Sequence, residues 1–147
     1  MLAICKSNFG AAIPLSGRYL GETDQTSYSP LAVGEGYLVF ALFFVFDRVD
    51  FLISGPEQLP FWVPGNLFDL TDAKIPPGWE FRSTRLDSDY KILFEAFGIS
   101  YIFGYPQLVN EYQHYAGIVE HDSNALQIFA DEKKRVSEWW SEVIAVK

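Results

Sequence analysis

Two histidines, one cysteine and three close pairs of aspartates are the side chains of this sequence best suited to chemistry. Glu111 lies three residues before His114, so the two share a helical face, and Glu120-His121-Asp122 adds further oxygen and nitrogen donors. Imidazole with carboxylates is a common ligand set for a divalent metal. The interval between the histidines, however, spans Gly117, a residue that commonly ends helices, and neither histidine has an established ligand spacing. The expectation is two polar surface histidines around a helix–helix turn, with no metal and no cofactor. Cys5 stands alone near the N-terminus, a poor place to build an activated thiolate. The aspartates recur as Asp47/Asp50, Asp69/Asp72 and Asp87/Asp89. Paired carboxylates work as general acid and base when their surroundings separate their pKa values. At positions that read as turns, Asp is favoured for local hydrogen bonding. The functional alternative is an acidic contact surface built from the loop tips Asp47, Asp50, Asp87 and Asp89.

Other catalytic signatures are missing. The sequence has no Gly-x-Gly-x-x-Gly, no P-loop and no Gly-x-Ser-x-Gly, and Gly34-Glu35-Gly36 precedes a strand where a dinucleotide fingerprint follows one. The reading is therefore a non-catalytic protein. Eleven Lys and Arg against nineteen Asp and Glu leave a net charge of −8. Such a chain repels phosphate backbones, which argues against nucleic acid, and steers basic protein partners toward it. The longest apolar run, Tyr37 to Phe46, is about half of what crosses a bilayer as a helix, so no membrane span is expected. A lone cysteine excludes an intrachain disulfide, and a cytoplasmic location is expected.

These residues must be positioned by a chain of 147 residues, the size of one domain, read as strand-rich over 1–104 with a helical tail over 105–147. Thirteen Phe, eight Tyr and four Trp favour sheet. Tyr37 to Phe46 has no polar face, so it reads as a strand covered on both sides or central in a curved sheet. Asp47 to Asp50 reads as a hairpin turn, with Phe51-Leu52-Ile53 returning. Ala11 to Leu15 reads as a short edge strand, and Tyr90 to Phe97 fits neither the helical nor the strand period, with Gly98 ending it. Pro106 opens a short helix that Gly117 is expected to end, and Asp122 or Ser123 can cap a longer one. The fold class is α+β: a strongly bent antiparallel sheet or an SH3-like barrel, followed by two C-terminal helices. Trp62 and Trp79 read as core. Trp139 and Trp140 are adjacent on a helix and point about 100° apart, so one ring sits at the core margin or at an interface.

The stretches Val33 to Phe40, Trp62 to Asp72 and Ile75 to Trp79 resemble small bacterial proteins of the toxin–immunity type, with an echo from Tyr105 to Phe129. The resemblance covers about residues 33 to 82 and carries no catalytic residue. It implies a protein that binds and occludes a toxin, with the acidic loop tips meeting a basic cleft and an aromatic anchor such as Trp139 beside them. Two other readings stay open: a small-molecule-binding or enzymatic barrel lined by aromatics, and a self-associating subunit with Trp139 or Trp140 at a two-fold interface.

Overall fold

In the computed structural model, which describes residues 1–146, the apolar run is a ten-residue strand, β2 (Gly36–Val45). Successive side chains of a strand point to opposite faces, so a run this apolar has to be hidden twice. One edge of β2 pairs antiparallel with β3 (Arg48–Ile53). The other edge is shared. β1 (Leu2–Cys5) takes Gly36 to Leu38, and β7 (Ile99–Gly104) takes Ala41 to Val45. β4 (Phe61–Pro64) extends the sheet beyond β3, β5 (Phe68–Asp72) beyond β1, and β6 (Glu80–Ser83) beyond β7. The result is a forked, antiparallel sheet of seven strands.

A bulge inside β2 decides what each face receives. Val39 stands opposite Ile53 while Ala41 stands opposite Leu52, so β2 carries one extra residue at Phe40. One extra residue reverses side-chain parity along the strand. Before it, Tyr37 and Val39 enter one core, with Ile53, Val63 and Phe68; after it, Phe43 and Val45 enter the other, with Ile102 and the helices. The sheet thus separates two apolar cores, and both faces of its central strand are buried.

Four helices follow the sheet's demands: α1 (Lys91–Phe97), α2 (Pro106–Asn110), α3 (Tyr112–Glu120) and α4 (Ser123–Ala145). Asp122 caps α4, its Oδ2 accepting the Ala125 N–H at 3.2 Å. Ala125, Phe129 and Val136 recur at helical spacing and form the buried stripe of α4. Phe129 meets Phe40 edge-on at 5.2 Å between ring centroids. Gly98 ends α1 in the left-handed conformation, φ 75°. Among the described residues no helix is long and apolar enough to cross a membrane.

Several expectations are corrected. The sheet is not closed into a barrel: β4, β5 and β6 end it, and two separate layers cover β2 instead of the sheet curling onto itself. The tail holds three helices, not two, because the first breaks at the extended Glu111, and Gly117 does not stop the second. It sits inside α3, where a Cβ would lie 2.6 Å from the Ala125 Cβ, so the glycine permits close approach of α4. The chain turns instead at His121, which adopts the left-handed conformation (φ 57°). Ala11 to Leu15 is no strand but part of two single 3-10 turns, Gly10–Ala12 and Leu15–Gly17.

Replacing a helical Gly by Ala ordinarily stabilises by about 1 kcal/mol. At Gly117 the contact with Ala125 reverses the sign. Gly117→Ala is expected to lower stability by about 1–3 kcal/mol in urea melts, and Ala125→Gly in the same chain to recover most of the loss.

Candidate functional site

The helical layer does not cover its face of the sheet completely. Between α1 and α3 it leaves a groove of about 870 Å³. Phe43 of β2 and Trp62 of β4 form its floor, with ring centroids 4.5 Å apart. Tyr115 and Tyr112, stacked at 6.1 Å, come from α3, and Leu93, Phe94 and Phe97 from α1. Leu20, Phe46, Phe97 and Val119 are exposed at its rim. Among the described residues the charged side chains lining it are Glu95 and Glu120, and no Lys or Arg does so.

Phe46 is held at that rim at a conformational cost. It occupies the β2–β3 turn with φ 51°, a left-handed conformation that costs an L-residue roughly 1–2 kcal/mol. Its side chain is not repaid by burial, being 62% exposed. Its ring instead packs on Tyr19, 4.8 Å between centroids, and occupies the space where a Gly98 side chain would stand. Strain retained by an exposed aromatic at the mouth of a groove is a mark of a functional position.

Beyond Phe43 and Trp62 lies a second, smaller cleft of about 230 Å³, also bordered by Leu20. Its wall is an ion cluster. Arg48 and Asp50 are two apart on β3, hence on one face. The guanidinium grips the carboxylate with two bonds, Nε–Oδ1 at 2.8 Å and Nη2–Oδ2 at 3.0 Å. Nη1 donates to the Gly17 carbonyl and to Glu22, whose other oxygen accepts the Leu20 N–H at 3.1 Å. The cluster therefore ties the N-terminal loop to the sheet. Burial pushes the Asp50 carboxyl up from its ordinary range, the Arg48 guanidinium pulls it back, and the Glu22 charge adds to the rise. The neighbouring Tyr28 hydroxyl is pushed up to about 12, by burial first and then by Glu22.

The aspartates read as loop tips do not form one acidic surface. Asp50, expected at the surface, is 2% exposed and belongs to the cluster just described. Asp47 is exposed in the β2–β3 turn, where its carboxylate accepts the Tyr19 hydroxyl. That turn touches the C-terminal end of α1, through the Phe46 N–H and the Gly98 carbonyl, whereas Asp87 and Asp89 precede its N-terminal end. Asp87 accepts the backbone N–H groups of Asp89 and Tyr90 at 2.8 and 3.1 Å and pairs with Arg82. Asp89 is exposed beside a polar cleft that Glu111 and His114 also line. Trp139 is half-buried against the helix-side core, its ring 6.1 Å from that of Trp140.

The histidines diverge as well. His114 is buried, with Nε2 bonded to the Tyr105 hydroxyl at 2.6 Å, and burial lowers its pKa against the pull of Glu111. His121 is exposed and bonds the Pro60 carbonyl at 2.8 Å. Among the described residues no group of three His, Cys, Asp or Glu side chains comes together that could hold a metal ion. Sequence reasoning overlooked the groove, whose walls come from five distant segments. It had one usable signal for the cluster, since Arg48-x-Asp50 in an apolar strand reads as an ion pair on one face. Comparison with known proteins yields no match, whether to a family model, a curated protein or a solved structure.

Two measurements separate structural from contact aspartates. Asp50→Ala leaves the Arg48 Nε and Nη2 donors buried without their acceptor, Glu22 still balancing the charge, and is expected to cost about 1–3 kcal/mol in denaturant melts; a surface contact residue would leave stability unchanged. For Asp87, burial works upward, but the two backbone N–H bonds and Arg82 hold the carboxyl below its ordinary 3.8. A depressed folded-state value adds stability that is present above pH 3.8 and lost as pH falls through the folded value. Asp87→Asn is therefore expected to melt earlier than the parent near neutral pH, with the difference closing under acid.

Proposed function

We propose that this chain is a non-catalytic protein-binding module that receives an apolar segment of a basic partner in the α1–α3 groove. Its specific form is an immunity-type protein that occludes a bacterial toxin. The observation that carries the reading is the composition of the groove: aromatic walls, an exposed apolar rim and two glutamates as its charged lining. Contiguous exposed apolar surface of this kind marks interaction sites. Aromatic faces attract cations as well as apolar groups, and the net charge of −8 favours encounter with a basic protein. The binding surface moves, in this reading, from the aspartate loop tips to the groove between them. Aromatic anchors such as Trp62 and Tyr115 take the role given to Trp139 by the sequence.

A small apolar ligand is the second reading, favoured by the groove volume, which falls in the usual range of small-molecule sites. The exposed rim of Leu20, Phe46, Phe97 and Val119 favours a polypeptide, which needs a long open edge.

Photo-crosslinking in cells of the source organism tests the proposal. Benzoylphenylalanine at Val119 in the groove is expected to capture one basic protein that the same group at Leu70, on β5, does not. The same adducts from both positions, or only a second copy of this chain, would overturn it.

A further inference from the structure

We infer that the inner end of the groove is a pocket for one arginine side chain of the partner segment, held by the buried Glu22–Arg48–Asp50 cluster beside Trp62. The inference rests on the reading of the groove as the partner site and names what that site selects.

The geometry comes first. The smaller cleft and the groove share Leu20, Phe43 and Trp62, so the two adjoin across these side chains. At about 230 Å³ the cleft is smaller than the usual complete ligand site, roughly 300–1,000 Å³. It is sized for a single side chain that enters from the larger groove.

Charge comes second. The side chains of Glu22, Arg48 and Asp50 are 5%, 4% and 3% exposed. Two carboxylates and one guanidinium leave the cluster at a formal charge of −1, and among the described residues no other Lys or Arg lines the cleft. Four of the five Arg48 N–H groups are already committed, Nε and one of Nη2 to Asp50, and both of Nη1 to Glu22 and the Gly17 carbonyl. An uncompensated buried charge is costly, so a site of this kind gains from an incoming cation. The Tyr28 hydroxyl, raised by burial first, is raised further by the Glu22 charge.

Shape selects the cation. Trp62 lines the cleft half-buried, its ring packed on that of the buried Phe43, and a planar guanidinium stacks on an indole face while offering paired donors to a carboxylate. An ammonium does the second less well and the first not at all.

Calorimetric titration of the intact chain tests this with a pair of peptides, acetyl-Leu-Phe-Arg-Leu-Phe-amide and its citrulline counterpart, which has the same shape without the charge. The arginine peptide is expected to bind about tenfold more tightly, the increment of one charge-assisted hydrogen bond. Glu22→Gln, with folding checked by circular dichroism, is expected to bring the two affinities within about twofold. Because the two peptides are compared on the parent chain, the test does not depend on a variant that folds. Equal binding of both peptides would overturn the arginine pocket and leave the groove reading intact. Binding of neither would overturn both.

Discussion

A strand without a polar face has to be covered on both sides, and the rest of this fold is arranged to do that. β2 cannot sit at an edge or turn one side to water, so it takes the centre of the sheet, with β3 on one edge and β1 and β7 dividing the other. The bulge at Phe40 distributes its side chains between two cores. On one side the cover comes from the N-terminal segment, through Ile13 and Leu31, and from the β1–β5 wing. On the other it comes from the helices, through Tyr105, Leu108 and Phe129.

The candidate site arises where that second cover is thin. α1 has seven residues and α3 nine, about 10 and 14 Å of helix at 1.5 Å per residue. The floor between them is left to aromatic rings. The same rings that shield β2 become the walls of the groove, so core and site are not separate sets of residues. The ion cluster has a double place too. It fastens the loop around Gly17 and Glu22 to β3, and it carries an excess negative charge at the groove's inner end. A polar group kept inside a core at this cost is more readily understood as serving specificity than stability.

How much of this was legible in the sequence follows from which interactions are local. The doubly buried β2, the return strand Phe51-Leu52-Ile53, the Gly98 stop and the Asp122 cap were legible, because each depends on neighbours in the chain. β1 was overlooked because four residues beside a chain terminus carry little pattern. Tyr90 to Phe97 was ambiguous because α1 faces the core with Leu93 and the open groove with Phe94 and Phe97, so its apolar residues encircle it. Gly117 was misjudged because its role is set by Ala125 on the next helix. Asp50 was misplaced for a related reason. Its partner Arg48 is two positions away and visible as a pattern, whereas Glu22, which shares that guanidinium, lies twenty-six positions before Arg48 and is not.

The division of β2 between near and distant partners also sets the order in which the chain can assemble. The β2–β3 hairpin closes through the Phe46-Asp47 turn as soon as both strands exist. β7, which seals the opposite edge, pairs Ile99 with Val45, more than fifty residues later in the chain. Pairings this distant close slowly, since the entropy of the intervening loop is lost before the contact forms. Until then the Ala41–Val45 edge of a strand apolar on both faces stays unpaired, a template along which chains add to one another. For a growing chain on the ribosome, the hazard is greatest between synthesis of β3 and arrival of β7. It is a matter of timing, and the depth of the finished core does not remove it.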